Sequence, residues 1–122
     1  MRLYDNAISG NTYKCRLLIA QLGIDCERVE VDIMKGESRT PDYLAKNPNG
    51  RVPLLALDDG TYLPESNAIL FYLAEGTPYM PETREGRARA LAWMCFEQYN
   101  HKPNVAVARH WTLHLARISH EG

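Results

Sequence analysis

The sequence predicts an α/β fold: a mixed four-stranded sheet with helices on both faces, followed by the start of an all-α domain. Three observations carry this. Residues 1–75 read as β-α-β-α-β-β-α from their hydrophobic periods. The first βαβ unit demands a right-handed crossover and a parallel pair, while a later short hairpin adds antiparallel strands. Past a linker with two prolines, Gly76-Thr77-Pro78-Tyr79-Met80-Pro81, only helical patterns occur.

Each element has its own justification. Arg2–Asp5 is a short opening strand, and Ala7–Asn11 is a turn containing Gly10. Thr12–Leu22 reads as a helix with Leu17, Leu18, Ala20 and Leu22 apolar, joined by Cys15, and Gly23 ends it. Glu27–Asp32 alternates polar and apolar residues, as a half-buried strand does. Lys35–Arg39 is a polar loop. Thr40-Pro41 is an N-cap followed by proline at the first helical position, opening a short helix through Lys46. Asn47-Pro48-Asn49-Gly50 is turn chemistry, and the strand Pro53–Leu57 follows. Pro53 stands at the start of that strand, where a missing N–H breaks no ladder and where an X-Pro bond tolerates cis. The backbone N–H and C=O of Val52 are then expected to be free at a sheet margin. An extended peptide could pair there like an added strand, or the corner could be a plain loop. Asp58–Thr61 is the hairpin turn, and Tyr62-Leu63 starts the return strand. Ser66 is expected to cap a helix whose Ala68, Ile69, Leu70, Phe71, Leu73 and Ala74 are apolar nearly all round, which predicts burial.

Composition narrows the function. A net charge of −1 over 122 residues makes no case for nucleic acid or a membrane surface. No apolar run reaches transmembrane length, and Met1-Arg2 leads straight into Leu3-Tyr4, so no signal peptide is expected. Three cysteines, Cys15, Cys26 and Cys95, form no CxxC and fit a reducing cytosol.

The element order of residues 1–75 is the thioredoxin-like arrangement. Redox members of that fold carry CxxC at the turn opening the first helix. Ser9-Gly10-Asn11-Thr12 stands there, so thiol–disulfide exchange is not expected, and Cys15 reads as a buried small hydrophobe. Glu65-Ser66 offers other chemistry. A helix-start hydroxyl and free N–H groups suit a carboxylate, and Glu65 suits an ammonium. An α-amino acid end carries both charges; an ordinary cap beside an exposed Glu is the simpler reading.

Two stretches, Asn47-Pro48-Asn49-Gly50-Arg51-Val52-Pro53-Leu54-Leu55 and Leu63-Pro64-Glu65-Ser66-Asn67-Ala68-Ile69-Leu70-Phe71-Tyr72-Leu73, resemble the N-terminal domain of glutathione transferases. Leu3-Tyr4 and Ser9-Gly10-Asn11 agree with it. The resemblance is to bacterial serine- or asparagine-type members, close over residues 1–80 and looser beyond. It implies a glutathione-binding domain over 1–80 and a truncated start of the all-helical C-terminal domain over 81–122. It also implies a role for each residue. The Val52 backbone, before a cis Pro53, would pair with the cysteinyl part of glutathione. Glu65 and Ser66 would hold the γ-glutamyl amino and carboxylate groups. Arg39 would meet the glycyl carboxylate, unless it is a solvated loop charge. Arg51, where many relatives have Gln, would donate to the ligand or add charge at its rim. Ser9 would face the thiol, with Asn11 as the alternative and Thr12 as a weaker third.

The implied activity is glutathione transfer in detoxification, with the thiolate stabilised for attack on electrophilic small molecules. Truncation of the helical domain would put that activity at risk. Glutathione is the implied co-substrate, with no metal. The implied state is a cytoplasmic homodimer without nucleic-acid or membrane partners. The alternative is a non-catalytic glutathione-binding or protein-interaction module of the same fold.

The last third is plainer. Thr83 is expected to cap a helix from Arg84. Ala90–Phe96 is apolar on every face and calls for partners on more than one side; exposed Trp93, Met94 and Phe96 would drive self-association. Pro103 is expected to kink or break that helix, with Val105–Ile118 as its continuation. His110 and His114 would share one helix face, exposed by default because no third metal ligand is evident.

Overall fold

A computed structural model describes residues 1–115 of the chain, with side chains through Leu113. The expected helix beyond Leu115 and the His114 half of the histidine pair lie outside the described residues. The chain divides into two compact units, Met1–Met80 and a second beginning at Pro81.

The first unit contains β1 (Arg2–Asp5), α1 (Gly10–Leu22), β2 (Glu27–Glu30), α2 (Pro41–Lys46), β3 (Leu54–Ala56), β4 (Tyr62–Pro64) and α3 (Ser66–Ala74). The sheet order is β2-β1-β3-β4. β1 pairs parallel with β2, with Tyr4 opposite Val29, and antiparallel with β3, with Leu3 opposite Leu55. β3 pairs antiparallel with β4, with Leu55 opposite Leu63. This is the predicted α/β fold, with helices on both faces. Alternation along β1 divides the core. Leu3 joins Cys15, Leu18, Leu55, Ile69, Leu73 and Ala74 on the face carrying α1 and α3. Tyr4 joins Val31, Tyr43 and Leu54 on the face covered by α2, where the Tyr4 and Tyr43 rings meet edge-on at 5.8 Å.

Several boundaries move, each for a physical reason. α1 starts at Gly10, not Thr12, because Ser9 is its N-cap: Ser9 is extended (φ −79°, ψ 125°) and its Oγ accepts from the Thr12 N–H at 3.4 Å. Thr12 is fully buried inside the first turn of the helix. Gly23 ends α1 as expected, left-handed at φ 64°. β2 stops at Glu30, although the Val31 N–H still donates to the Asp5 carbonyl at 2.7 Å. The loop before α2 tightens into a 3₁₀ turn over Glu37–Arg39. The N-cap of α3 is Glu65, and Ser66 is the first helical residue. α3 is also less buried than its composition suggests. Ile69, Leu73 and Ala74 are buried, but Ala68 is exposed and Tyr72 is 50% exposed. An all-round apolar helix buries only the faces that neighbours reach.

Asp5, at the end of β1, is fully buried and held by Arg16 and Arg28. Burial by itself would raise its pKa. Hydrogen bonds from Arg16, Thr12 and Arg28 outweigh that and hold the carboxyl below its usual range. A carboxyl lowered by folding stabilises the protein above its unfolded pKa, near ~3.9, and loses that contribution as pH falls through the folded value. The urea midpoint is therefore expected to drop on acidification below about pH 4. Asp5→Asn should flatten that drop; an unchanged acid slope would remove Asp5 from the account.

In the second unit, Thr83 caps α4 (Arg84–Phe96), its Oγ1 accepting from the Gly86 N–H at 3.0 Å. Helix continues as a π segment over Glu97–Ala106, then α5 (Val107–His110), then a π segment over Trp111–Leu115. Pro103 neither breaks nor ends it. Proline lacks an N–H and crowds the carbonyl four residues back, and the wider π turns around it relieve that crowding. No α4 side chain is buried: Trp93 is 70% exposed, and its ring meets Phe96 edge-on at 5.6 Å. No described helix is long and apolar enough to cross a membrane.

Candidate functional site

The site begins with two helix starts. Ser9 caps α1, and Asn11 sits in its first turn. At the start of α3, the buried Ser66 donates its hydroxyl to Asn11 Oδ1 at 3.5 Å. Below it, the Cys15 thiol donates to the Ser66 carbonyl at 3.6 Å. The two N-termini therefore lie side by side, each with backbone N–H groups that no helical carbonyl can reach. Burial pushes the Cys15 thiol up to about 12, so it stays protonated and inert.

The third piece is the turn before β3. The Gly50 N–H closes on the Asn47 carbonyl at 2.9 Å. The Asn47 amide and the Tyr43 hydroxyl both donate to the Arg51 carbonyl, at 2.9 and 2.8 Å. Burial raises the Tyr43 phenol to about 12, which keeps it a donor. The Val52-Pro53 peptide bond is cis, and Pro53 is buried. No hydrogen bond to the Val52 backbone occurs among the described residues.

This turn also brings charges together. Arg39, Pro48, Asn49, Arg51 and Glu65 line an open cleft of about 450 Å³. Among the described residues, none of Arg39, Arg51 and Glu65 makes an ion pair. Glu65 has φ 73°, a conformation that non-glycine residues rarely adopt. Of the sequence-derived candidates, Arg39, Arg51 and Glu65 share this cleft. Ser66 meets Asn11 instead, and Ser9, Asn11, Val52 and Pro53 are not among the cleft's walls.

The sequence marks Pro48 and Asn49 only as turn formers; in the structure both are walls of the cleft. Gly50 is a further residue whose role the sequence hides. A Cβ there would lie 2.9 Å from the Ser38 carbonyl oxygen and 3.0 Å from Arg39 Cδ, and its φ is +60°. Gly50→Ala is expected to destabilise the fold by about 1–2 kcal/mol, because the carbonyl cannot yield as a side chain does. Chemical denaturation checks this; an unchanged midpoint would mean that the turn relaxes. Among the described residues, no group of three or more His, Cys, Asp or Glu is placed to hold a metal.

Residues 1–75 match the family described as the glutathione S-transferase N-terminal domain. A solved structure of a possible glutathione S-transferase from Rhodopseudomonas palustris is 57% identical, with a TM-score of 0.88 over 90% of this chain and 54% of that one. A glutathione transferase homologue from Sulfitobacter, solved with bound glutathione, is 29% identical, with a TM-score of 0.76 over 95% of this chain and 55% of that one. Maleylacetoacetate isomerase from Pseudomonas aeruginosa is 42% identical over 80 residues, which is 64% of this chain and 38% of the isomerase. The chain belongs to the glutathione S-transferase family. It spans about half the length of the solved relatives, and less of the isomerase.

Proposed function

We propose that this chain binds glutathione and stabilises its thiolate for attack on an electrophilic carbon. One observation carries the reading: Arg39, Arg51 and Glu65 line one cleft as two cations and one anion, without ion-pair partners among the described residues. Glutathione has the inverse pattern of two carboxylates and one ammonium. Glu65 accepts from the γ-glutamyl ammonium. The Ser66 hydroxyl donates to Asn11, so the backbone N–H of Ser66 and the N–H groups that follow it in α3 take the adjacent carboxylate. Arg39 takes the glycyl carboxylate, and Arg51 adds a second cation at the rim. The Val52 backbone, beside Pro53, pairs with the cysteinyl residue as a strand would.

Ser9 faces the thiol in this reading. Its Oγ accepts from the Thr12 N–H, which leaves its own proton to donate to a thiolate. Asn11 is the alternative donor. A free thiol ionises near ~8.5, and lowering that by about two units requires ~2.7 kcal/mol. A hydroxyl donating to an anion contributes roughly 1.5–3 kcal/mol, and the α1 N-terminus ~0.3–1 kcal/mol. Together they suffice without a general base. The sulfur lone pair forms the new C–S bond. A leaving group departs with its electron pair, or an activated double bond takes the pair and is then protonated. The latter step, run reversibly, frees rotation about that bond and would suit an isomerase.

The wider reading is a cytoplasmic detoxifying homodimer that uses glutathione as co-substrate and needs no metal. Residues 81–122 would open its all-helical domain. A second reading, a non-catalytic glutathione-binding or protein-interaction module, is favoured by the exposure of Trp93, Tyr99 and Trp111. Calorimetry with glutathione, followed by conjugation to a generic aryl halide, separates the two. Binding with turnover is the expected result. Binding without turnover would favour the second reading, and no binding by a folded sample would overturn both forms of the glutathione site.

A further inference from the structure

We propose that Asp5, clasped by Arg16 and Arg28, is a positioning residue for the Ser9 hydroxyl. This rests on the glutathione reading above and extends it to side chains that never touch the ligand. Asp5 ends β1 and is fully buried. Arg16, from α1, donates through Nη1 to both carboxylate oxygens at 2.8 and 3.0 Å. Arg28, from β2, donates through Nε to Oδ2 at 2.6 Å. A carboxylate buried alone would be strongly disfavoured, and two guanidinium groups in charge-assisted contact make it a rigid joint.

The location of this joint gives it a bearing on chemistry. It lies at the root of the Asn6–Ser9 connection from β1 to α1. Arg16 reaches past Asp5, with Nη1 3.4 Å from the Asn6 carbonyl oxygen and Nη2 3.4 Å from that of Ala7. The buried Thr12 hydroxyl lies 2.7 Å from the Asn6 carbonyl oxygen and 3.0 Å from that of Ser9. The Ser9 N–H donates to the same Asn6 carbonyl at 3.1 Å. The Asn6 amide donates to the Val31 carbonyl at 3.0 Å, and the Ala7 N–H donates to Glu30 Oε1 at 3.0 Å. Asn6 and Ala7 are thus tied to the joint or to the chain at the end of β2, and Ser9 is tied to Asn6, where such loops usually move. Among the described residues the Ser9 hydroxyl has one long contact, at 3.4 Å, so its position is set by the backbone beneath it. Hydrogen bonds weaken steeply when misaligned. Loosening the joint should therefore weaken donation to a bound thiolate more than it weakens binding.

The test is Asp5→Asn and, separately, Arg28→Gln, with glutathione affinity read by calorimetry and thiol ionisation by the ultraviolet thiolate band. The wild type should bind glutathione with a depressed thiol pKa. In Asp5→Asn the ionisation constant of the bound thiol is expected to fall about tenfold, one pKa unit, while Kd changes less than about threefold. Arg28→Gln removes the more exposed arm and should shift ionisation the same way by less. A merely structural joint would lower the melting temperature and leave the thiol unmoved, which would overturn the inference. Should Asp5→Asn not fold, Arg28→Gln decides by the same criterion. Wild-type binding with a depressed thiol, unchanged in the variants, sinks this inference alone. A wild type that does not bind glutathione sinks the reading beneath it as well.

Discussion

Ser9→Ala is expected to conjugate glutathione about tenfold more slowly at neutral pH while binding it almost as well. Removing a hydroxyl that donates to the thiolate forfeits roughly 1.5–3 kcal/mol, which is one to two pKa units. The loss of rate is smaller than the loss of thiolate, because a more basic thiolate is also a better nucleophile. The rate should recover at alkaline pH, where the thiol ionises without help. Some stability goes too, since Ser9 caps α1. The capping contact is long, 3.4 Å, which points to the low end of the ~0.5–2 kcal/mol that N-caps contribute. Steady-state rates against pH for Ser9→Ala and Asn11→Ala make the comparison. Unchanged turnover in Ser9→Ala with a loss in Asn11→Ala would transfer the role to Asn11.

Glu65→Gly should move stability and affinity in opposite directions. Glu65 is held at φ 73°, ψ 118°, and such a conformation costs a non-glycine residue about 1–3 kcal/mol. Glycine relieves that strain but has more freedom to lose on folding, so the expected net gain is about 1 kcal/mol. Affinity for glutathione should fall roughly 10- to 100-fold, the worth of a charge-assisted hydrogen bond to the ammonium. Glu65→Gln keeps the strain and removes only the charge, so it should lose affinity with no gain in stability. A glycine variant that is no more stable would show that the backbone is unstrained there. Unchanged affinity would take Glu65 out of the ligand's shell.

Local chemistry explains how much of this was legible in the residues. Thr40-Pro41, Gly23 and Asp58–Thr61 announce a helix start, a helix stop and a hairpin, because each imposes its own backbone geometry. Where two local signals competed, tertiary context decided. Gly10 suggested a turn, yet the pull of Thr12 into the core starts the helix there. Ser66 had the chemistry of a cap, yet its hydroxyl is spent on Asn11, a residue 55 positions away, and Glu65 takes the cap position. Pro103 signalled a break, yet wider helical turns carry the chain past it.

The α/β fold of residues 1–75, the motif order that resembles the family and the absence of CxxC at the first helix are all legible in the residues. Those follow from periodicity and residue chemistry over short spans. Folding in three dimensions is what brings Arg39, Arg51 and Glu65 to one cleft. It also decided that Gly50 must have no side chain against Ser38, and that Asp5 is buried between two arginines. These are juxtapositions of residues far apart in the chain. They depend on strand order and on which side chains the core excludes from water, and no local pattern encodes either.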